Sequence, residues 1–195
     1  MKNLETINNL LSHLSSLSET KKSVILAIDG HCGGGKTTLA HYLATQIEST
    51  IISMDDFFLP FDLRTAERLE EPGGNIHYER FLEEVITPLS CNKTTTFSYH
   101  KFQCSTGTFT EPVIVTPKPL IIVEGSYSMH PRFQKLYDYS VFVTCSPKLQ
   151  EERILKRNGN QALQLFKERW IPMENHYFTA FNIKESCSLI LETGF

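Results

Sequence analysis

No stretch of this chain is apolar for long enough to cross a bilayer, and Met1 to Thr20 lacks the continuous hydrophobic run of a signal peptide. A cytoplasmic protein without a membrane partner is expected. The five cysteines, Cys32, Cys91, Cys104, Cys145 and Cys187, are scattered and never form a C-x-x-C pair, so neither a disulfide framework nor a zinc site is supported. Positive charge is not in excess: 19 Lys and Arg against 22 Asp and Glu leave a formal charge of -3, which argues against a nucleic-acid partner and for a small molecule. The N-K-x-D motif of guanine-reading switch proteins is missing too, because Asn92-Lys93 continues with Thr94-Thr95 and no aspartate. Low-complexity segments, internal repeats and linkers are absent. With 195 residues, 41% hydrophobic and 21% charged, the chain reads as one α/β domain over 1–195, long enough to bury a core unaided.

What is present is a recurring pattern of short apolar runs that end in acidic residues or glycine. Ser23 to Asp29 is β-branched and apolar enough for a strand buried on both faces. Ile51 to Met54 predicts a second strand running into Asp55 and Asp56, and Pro119 to Val123 another running into Glu124 and Gly125. Ser140 to Cys145 and Ser188 to Leu191 complete a mainly parallel sheet of about five strands. In such a sheet ligands sit outside the carboxyl ends of the strands, so the acidic residues there are candidate site residues, with a capped turn as the alternative for the aspartates. Helical spacing of Leu4, Ile7, Leu10, Leu11, Leu14 and Leu17 predicts an amphipathic N-terminal helix over 1–20 packed on the domain. Another helix is predicted from Thr37 to Glu48, one from about His77 to Val85, and a charged helical region from Pro147 to Phe181. Leu59 to Asn75, with Pro60, Pro72 and Gly73-Gly74, is too long for a mere connection and suggests substrate contact. Thr94 to Val115 reads as short irregular strands.

The strongest signal is Gly30-His31-Cys32-Gly33-Gly34-Gly35-Lys36-Thr37, which fits G-x-x-x-x-G-K-[ST] between a strand and a helix. Backbone amides of such a loop surround phosphate oxygens, and the following helix aims its unsatisfied N–H groups at the anion. Gly30, Gly33, Gly34, Gly35, Lys36, Thr37 and Thr38 are therefore the candidate nucleotide-binding residues, with Lys36 neutralising phosphate charge and Thr37 offering its hydroxyl to Mg2+. His31 and Cys32 occupy variable positions and are given no chemistry.

Together these segments resemble the uridine kinase-like branch of P-loop kinases, which includes pantothenate, phosphoribulose and nicotinamide riboside kinases. The resemblance is carried by Ile28-Asp29-Gly30 with its loop, Ser53-Met54-Asp55-Asp56-Phe57-Phe58, Val123-Glu124-Gly125, and the basic helical segment after Pro147. It implies a three-layer α/β/α fold with a helical lid over 147–181 and Mg-ATP-dependent phosphorylation of a hydroxyl on a small molecule, a nucleoside or a relative. It further implies that Asp55 accepts the acceptor's proton, that Glu124 holds the metal with Thr37, and that Asp56 is a water-mediated metal ligand or a cap. Lid arginines would stabilise the transferring charge, with Arg153 and Arg157 preferred among Lys156 and Arg169, the alternative being a solvated basic helix face. Tyr99 is a candidate base-stacking residue, and Arg64, His77, Tyr78 and Arg80 are candidates for the acceptor pocket. The histidine that uridine kinases carry a few residues past that tyrosine has no counterpart, because Cys104 and Ser105 stand there. Relatives are often homo-oligomers, but no interface stands out from ordinary surface here. Two other readings remain: a kinase for another metabolite, and a nucleotide-binding module with slow hydrolysis.

Overall fold

A computed structural model describes residues 2–91 and 95–194. Met1 of the expected first helix, the Asn92-Lys93 pair and Thr94 of the threonine-rich stretch lie outside the described residues. The sheet consists of β1 (Val24–Gly30), β2 (Ser49–Ser53), β3 (Leu120–Glu124), β4 (Tyr139–Thr144) and β5 (Leu189–Glu192). Its order is β2-β3-β1-β4-β5, and every neighbouring pair is parallel.

Strand β1 shows why these apolar runs pair as a central strand. Side chains alternate across a strand, and both faces of β1 are covered. Val24, Leu26 and Ile28 join a cluster with Leu10 and Leu14 of α1 (Lys2–Thr20) and with Leu39, Ala40 and Leu43 of α2 (Lys36–Gln46). Ile25 and Ala27 face a second cluster containing Met54, Phe57, Phe81, Tyr177 and Phe178. Each fully buried Val, Leu or Ile contributes about 1.5–3 kcal/mol, which explains the absence of polar residues from the run until Asp29. The result is a three-layer α/β fold. In α1 the predicted apolar face docks as expected except at its start, where Leu4 is exposed.

The chain leaves β1, crosses to the edge at β2, and returns through β3 to β1's near side before continuing to β4 on the other side. This reversal of direction opens a crevice at the carboxyl end of β1. The register places Glu124 beside Ile28 and Ser53, so three strands deliver their ends to one place. Gly30 closes the approach: a Cβ there would lie 1.9 Å from the Val143 carbonyl oxygen.

Elsewhere the elements differ from the sequence reading in instructive ways. Strand β2 stops at Ser53, and Met54–Phe57 turn as a 3-10 helix that carries Asp55 and Asp56 off the sheet. The long Leu59-to-Asn75 segment has structure of its own, a 3-10 turn Phe61–Leu63 and a helix Ala66–Glu70 capped by Thr65, whose hydroxyl accepts the Arg68 N–H (3.2 Å). The helix that starts at Tyr78 does not end near Val85; it passes through a π turn, Leu82–Ile86, and continues as Thr87–Cys91. Phe97–Tyr99 pairs antiparallel with Val113–Val115, and Phe102–Gln103 with Thr108–Phe109. The late helical region divides into α3 (Pro147–Leu165), broken at Gly159 (φ 80°), a π turn Phe166–Trp170, and α4 (Ile171–Ala180). No helix among the described residues is long and apolar enough to cross a membrane.

Candidate active site

A cavity of about 1130 Å³ lies over the carboxyl ends of β1, β2 and β3. Its floor is the glycine-rich loop. Gly35 precedes α2 with φ 103°, a left-handed conformation that a glycine adopts without strain, and α2 then begins at Lys36 with its amides directed at the loop. The Lys36 ammonium is buried and donates to the carbonyls of Gly30 (2.8 Å) and His31 (3.0 Å) and to the Ser126 hydroxyl (3.1 Å). One residue on, the Thr37 hydroxyl donates to Glu124 Oε2 (3.1 Å), while the Ser53 hydroxyl donates to Glu124 Oε1 (3.2 Å).

Asp55 opens onto the same cavity and comes close enough to Glu124 for each carboxylate to feel the other. Asp55 is itself open to solvent, and desolvation by the surrounding crevice raises its pKa above the ordinary carboxylate value; Lys36 opposes this, Asp56 adds to it and Arg157 opposes it. Desolvation, then the Asp55 charge, raises Glu124 as well, against hydrogen bonds from Thr37 and Ser53 and the charge of Lys36. Two partly desolvated carboxylates that repel each other, beside a threonine hydroxyl, form an all-oxygen donor set suited to a hard divalent cation. Mg2+ fits it: that ion is held by one or two carboxylates plus substrate phosphates and needs no protein cage. The described residues contain no cluster of three or more His, Cys, Asp or Glu placed for a metal.

No family model matches the chain. Over 129 residues it is 27% identical to uridine-cytidine kinase D of Dictyostelium discoideum, a match covering 65% of this chain and 24% of that protein. The chain thus spans about a quarter of the length of this curated relative. Among solved structures it is similar to one described as a possible uridine kinase from Bacillus stearothermophilus, with TM-score 0.73 and 18% identity over 98% of this chain and all of that one. A candidate fructose transport system kinase from Silicibacter superposes with TM-score 0.64 and 18% identity, covering 93% of this chain and 98% of that one. The chain shares the three-layer α/β fold of these solved structures.

Within this fold the predicted residues divide into two sets. Gly33, Gly35, Lys36, Thr37 and Thr38 line the cavity, as do Asp55 and Glu124; Gly30 lies behind the loop against Val143. Arg153, Arg157 and Arg169 reach the cavity wall from the late helical region. Arg153 donates through Nη1 to the carbonyls of Gly33 (3.0 Å) and Gly34 (3.1 Å) and to Thr193 Oγ1 (2.8 Å), so it braces the loop from outside. Arg157 bonds its neighbour Asn158 and sends its field to Asp55. Arg64 reaches the opposite end, anchored by Nε on the Leu59 carbonyl (2.7 Å) and lying over the Phe61 ring.

The other acceptor-pocket candidates lie elsewhere. Tyr99 is not a stacking platform: pairing of its strand with Val113–Val115 turns the ring inward against Phe57, and its hydroxyl donates to Asp56 (2.7 Å). That bond and an ion pair with Lys101 (3.1 Å) hold Asp56 away from the cavity, in place of the cap or metal-side role expected of it. Tyr78 is buried between the guanidinium groups of Arg68 and Arg132 and stacks on His130. His77 caps the following helix by accepting the Arg80 N–H, and Arg80 is spent in a two-bond pair with Glu84 (2.7 and 3.0 Å). All four serve to hold the irregular segment together.

Several site residues carried no local signal in the sequence. Glu174, on α4 and nearly fully buried, accepts the Cys32 N–H on Oε2 (3.0 Å) and the Ser126 hydroxyl on Oε1 (2.6 Å), tying the late helices to the loop and to the partner of Lys36. Its distance from the loop in the chain hides it; only the three-dimensional contact brings them together. Asp29 accepts from the amides of Gly30, Tyr127 and Met129 and from the Tyr177 hydroxyl, and burial still raises its pKa to about 6. Its place in Ile28-Asp29-Gly30 was visible, but its clamping of the 125–129 turn was not. His31 and Cys32, the variable positions of the loop, are both held in their neutral forms by burial. Burial first, then Lys36 and Lys184, lowers His31 to about 4, and burial pushes the Cys32 thiol up.

Proposed function

We propose that this chain is an ATP-dependent kinase for a hydroxyl of a small molecule, most consistent with a nucleoside, with the 147–181 segment acting as its lid. The observation that carries this reading is the convergence of Lys36, the Thr37–Glu124 pair and Asp55 in one cavity, each at the end of a different strand or its loop. The similarity to a uridine-cytidine kinase and to a structure described as a possible uridine kinase supports it.

The loop amides and Lys36 would hold the terminal phosphates, the lysine exchanging its bonds to Gly30, His31 and Ser126 for phosphate oxygens. Thr37 and Glu124 would hold Mg2+, which would supply positive charge to offset that of the phosphates. Asp55, whose carboxyl desolvation holds above the usual carboxylate range, would orient the acceptor hydroxyl and take its proton. Arg157 faces the developing charge from the lid side, while Arg153 keeps the loop in shape. Phosphoryl transfer asks little covalent work of a protein, and position plus electrostatics suffices.

A second reading, a kinase for a non-nucleoside metabolite, is favoured by the burial of Tyr99, which removes that residue as a platform for a base. The experiment is transfer of label from [γ-32P]ATP with Mg2+ to nucleosides, sugars and vitamin precursors. A labelled nucleoside supports the first reading and a labelled sugar or precursor the second. Phosphate released with no labelled acceptor across the panel sinks both in favour of a nucleotide-binding module.

A further inference from the structure

Beyond Asp55, the acceptor end of the cavity contains a polar side chain that neither the sequence pattern nor the relatives single out. Asn75 is 4% exposed, lines the cavity, and has a side-chain carbonyl oxygen, Oδ1, with no hydrogen-bond partner. Buried carbonyl oxygens left this way are uncommon, because losing water without a replacement is unfavourable.

The backbone around Asn75 does not need that oxygen. Arg68 binds the carbonyls of Gly74 (3.0 Å) and Ile76 (3.1 Å), and the Asn75 carbonyl accepts the Leu59 N–H (2.9 Å). Phe58 and Ile76 form a β-bridge, and the His77 N–H reaches the Phe57 carbonyl (2.7 Å). The segment bearing Asn75 is thus laid against the segment that follows Asp55, fixing the two side chains on one ledge. The Asn75 side chain lies beside the Tyr127 hydroxyl. Tyr127, also on the cavity wall, holds a left-handed backbone (φ 77°), with its N–H on Asp29 Oδ1 (3.1 Å). Strain of this kind in a non-glycine residue persists where the surroundings fix it and gathers at functional sites.

We propose that Asn75 reads the phosphoryl acceptor, its Oδ1 accepting a hydrogen bond from a second hydroxyl of a neutral polyol, a ribose or sugar ring, whose reacting hydroxyl lies at Asp55. This rests on the kinase reading above. An amide carbonyl selects a donor and disfavours carboxylate or phosphate oxygens, which are acceptors themselves, and Phe58 and Phe61 on the same wall offer apolar faces to a ring. A site built to hydrogen-bond a hydroxyl discriminates strongly against the analogue that lacks it.

The test is steady-state transfer from [γ-32P]ATP to uridine, cytidine, D-ribose and D-fructose, the best acceptor then being compared with its monodeoxy counterparts on wild type, Asn75→Leu and Asn75→Asp. The expected result is an acceptor KM raised about tenfold or more in Asn75→Leu, an unchanged KM for ATP, and partial recovery in Asn75→Asp, which keeps an acceptor oxygen. One deoxy counterpart should be poor with wild type and lose nothing further with Asn75→Leu. An unchanged acceptor KM, or equal losses for parent and every deoxy compound, overturns the proposal. Should Asn75→Leu fail to fold, wild type alone decides: deoxy counterparts all as good as the parent overturn it. Wild type that labels none of the four overturns the kinase reading and this inference with it, whereas wild type that labels one while Asn75→Leu keeps its KM overturns this inference alone.

Discussion

The two ends of the cavity are built by different means. At the phosphate end, one contiguous motif supplies loop, lysine and threonine, and strands β1 and β3 fix Glu124 beside them through their register. At the acceptor end, Asp55, Phe58, Arg64 and Asn75 come from turns and short helices off the sheet, held by side-chain bonds such as those of Arg68 and Arg80. On the kinase reading proposed above, chemistry common to many acceptors would sit on the rigid sheet, while whatever chooses the acceptor would sit on a segment that can vary without disturbing the sheet.

Substitutions at the two ends should therefore separate. The largest effect is expected at the phosphate end: Lys36→Ala removes the only ammonium on the loop, and transfer should fall about 10²–10³-fold or more, with ATP affinity reduced, whatever the acceptor. Rapid-quench or coupled assays read this directly; a variant that loses activity with one acceptor alone would break the division. Next comes Glu174→Gln, which exchanges one acceptor oxygen for an amide facing the Cys32 N–H or the Ser126 hydroxyl. Leaving a buried donor unmet should cost about 2 kcal/mol, seen as about 4–8 °C off Tm by calorimetry, together with a higher KM for ATP and little change in acceptor KM. The smallest effect links the ends through pH. Transfer needs Asp55 ionised, so activity is lost as pH falls through its raised pKa, and the acid limb of kcat/KM should sit above the ordinary aspartate range. Asp56 pushes that pKa up; Asp56→Asn should move the limb to lower pH, and Arg157→Ala, which removes an opposing charge, should move it higher. A limb unmoved by both would mean that Asp55 is not the titrating group.

The same contrast explains what was legible in the sequence. Strands β1, β3 and β4 are buried on both faces, and their unbroken apolar runs announce this. The glycine loop is legible because its geometry depends on residue types at fixed local spacing. Asp55 and Glu124 stood out as candidates because strand ends are where a parallel sheet binds ligands, and both line the cavity. Tyr99, His77, Tyr78 and Arg80 were candidates for the acceptor pocket because polar and aromatic side chains look alike in sequence whether they face a ligand or knit a loop, and only their partners in space, Asp56, Arg68, Arg132 and Glu84, show that here they knit the loop. Glu174 and Asn75 were passed over for the same reason: each acts through contacts with residues far away in the chain.

The most direct test of the central claim, that phosphate grip and proton acceptance are separate duties of one cavity, is to measure ATP affinity and transfer together on Asp55→Asn. The account predicts ATP binding within about threefold of wild type or tighter, since a negative charge near the phosphates is removed, while transfer falls about 10²–10⁴-fold. Unchanged turnover, or ATP affinity lost in step with transfer, would contradict it.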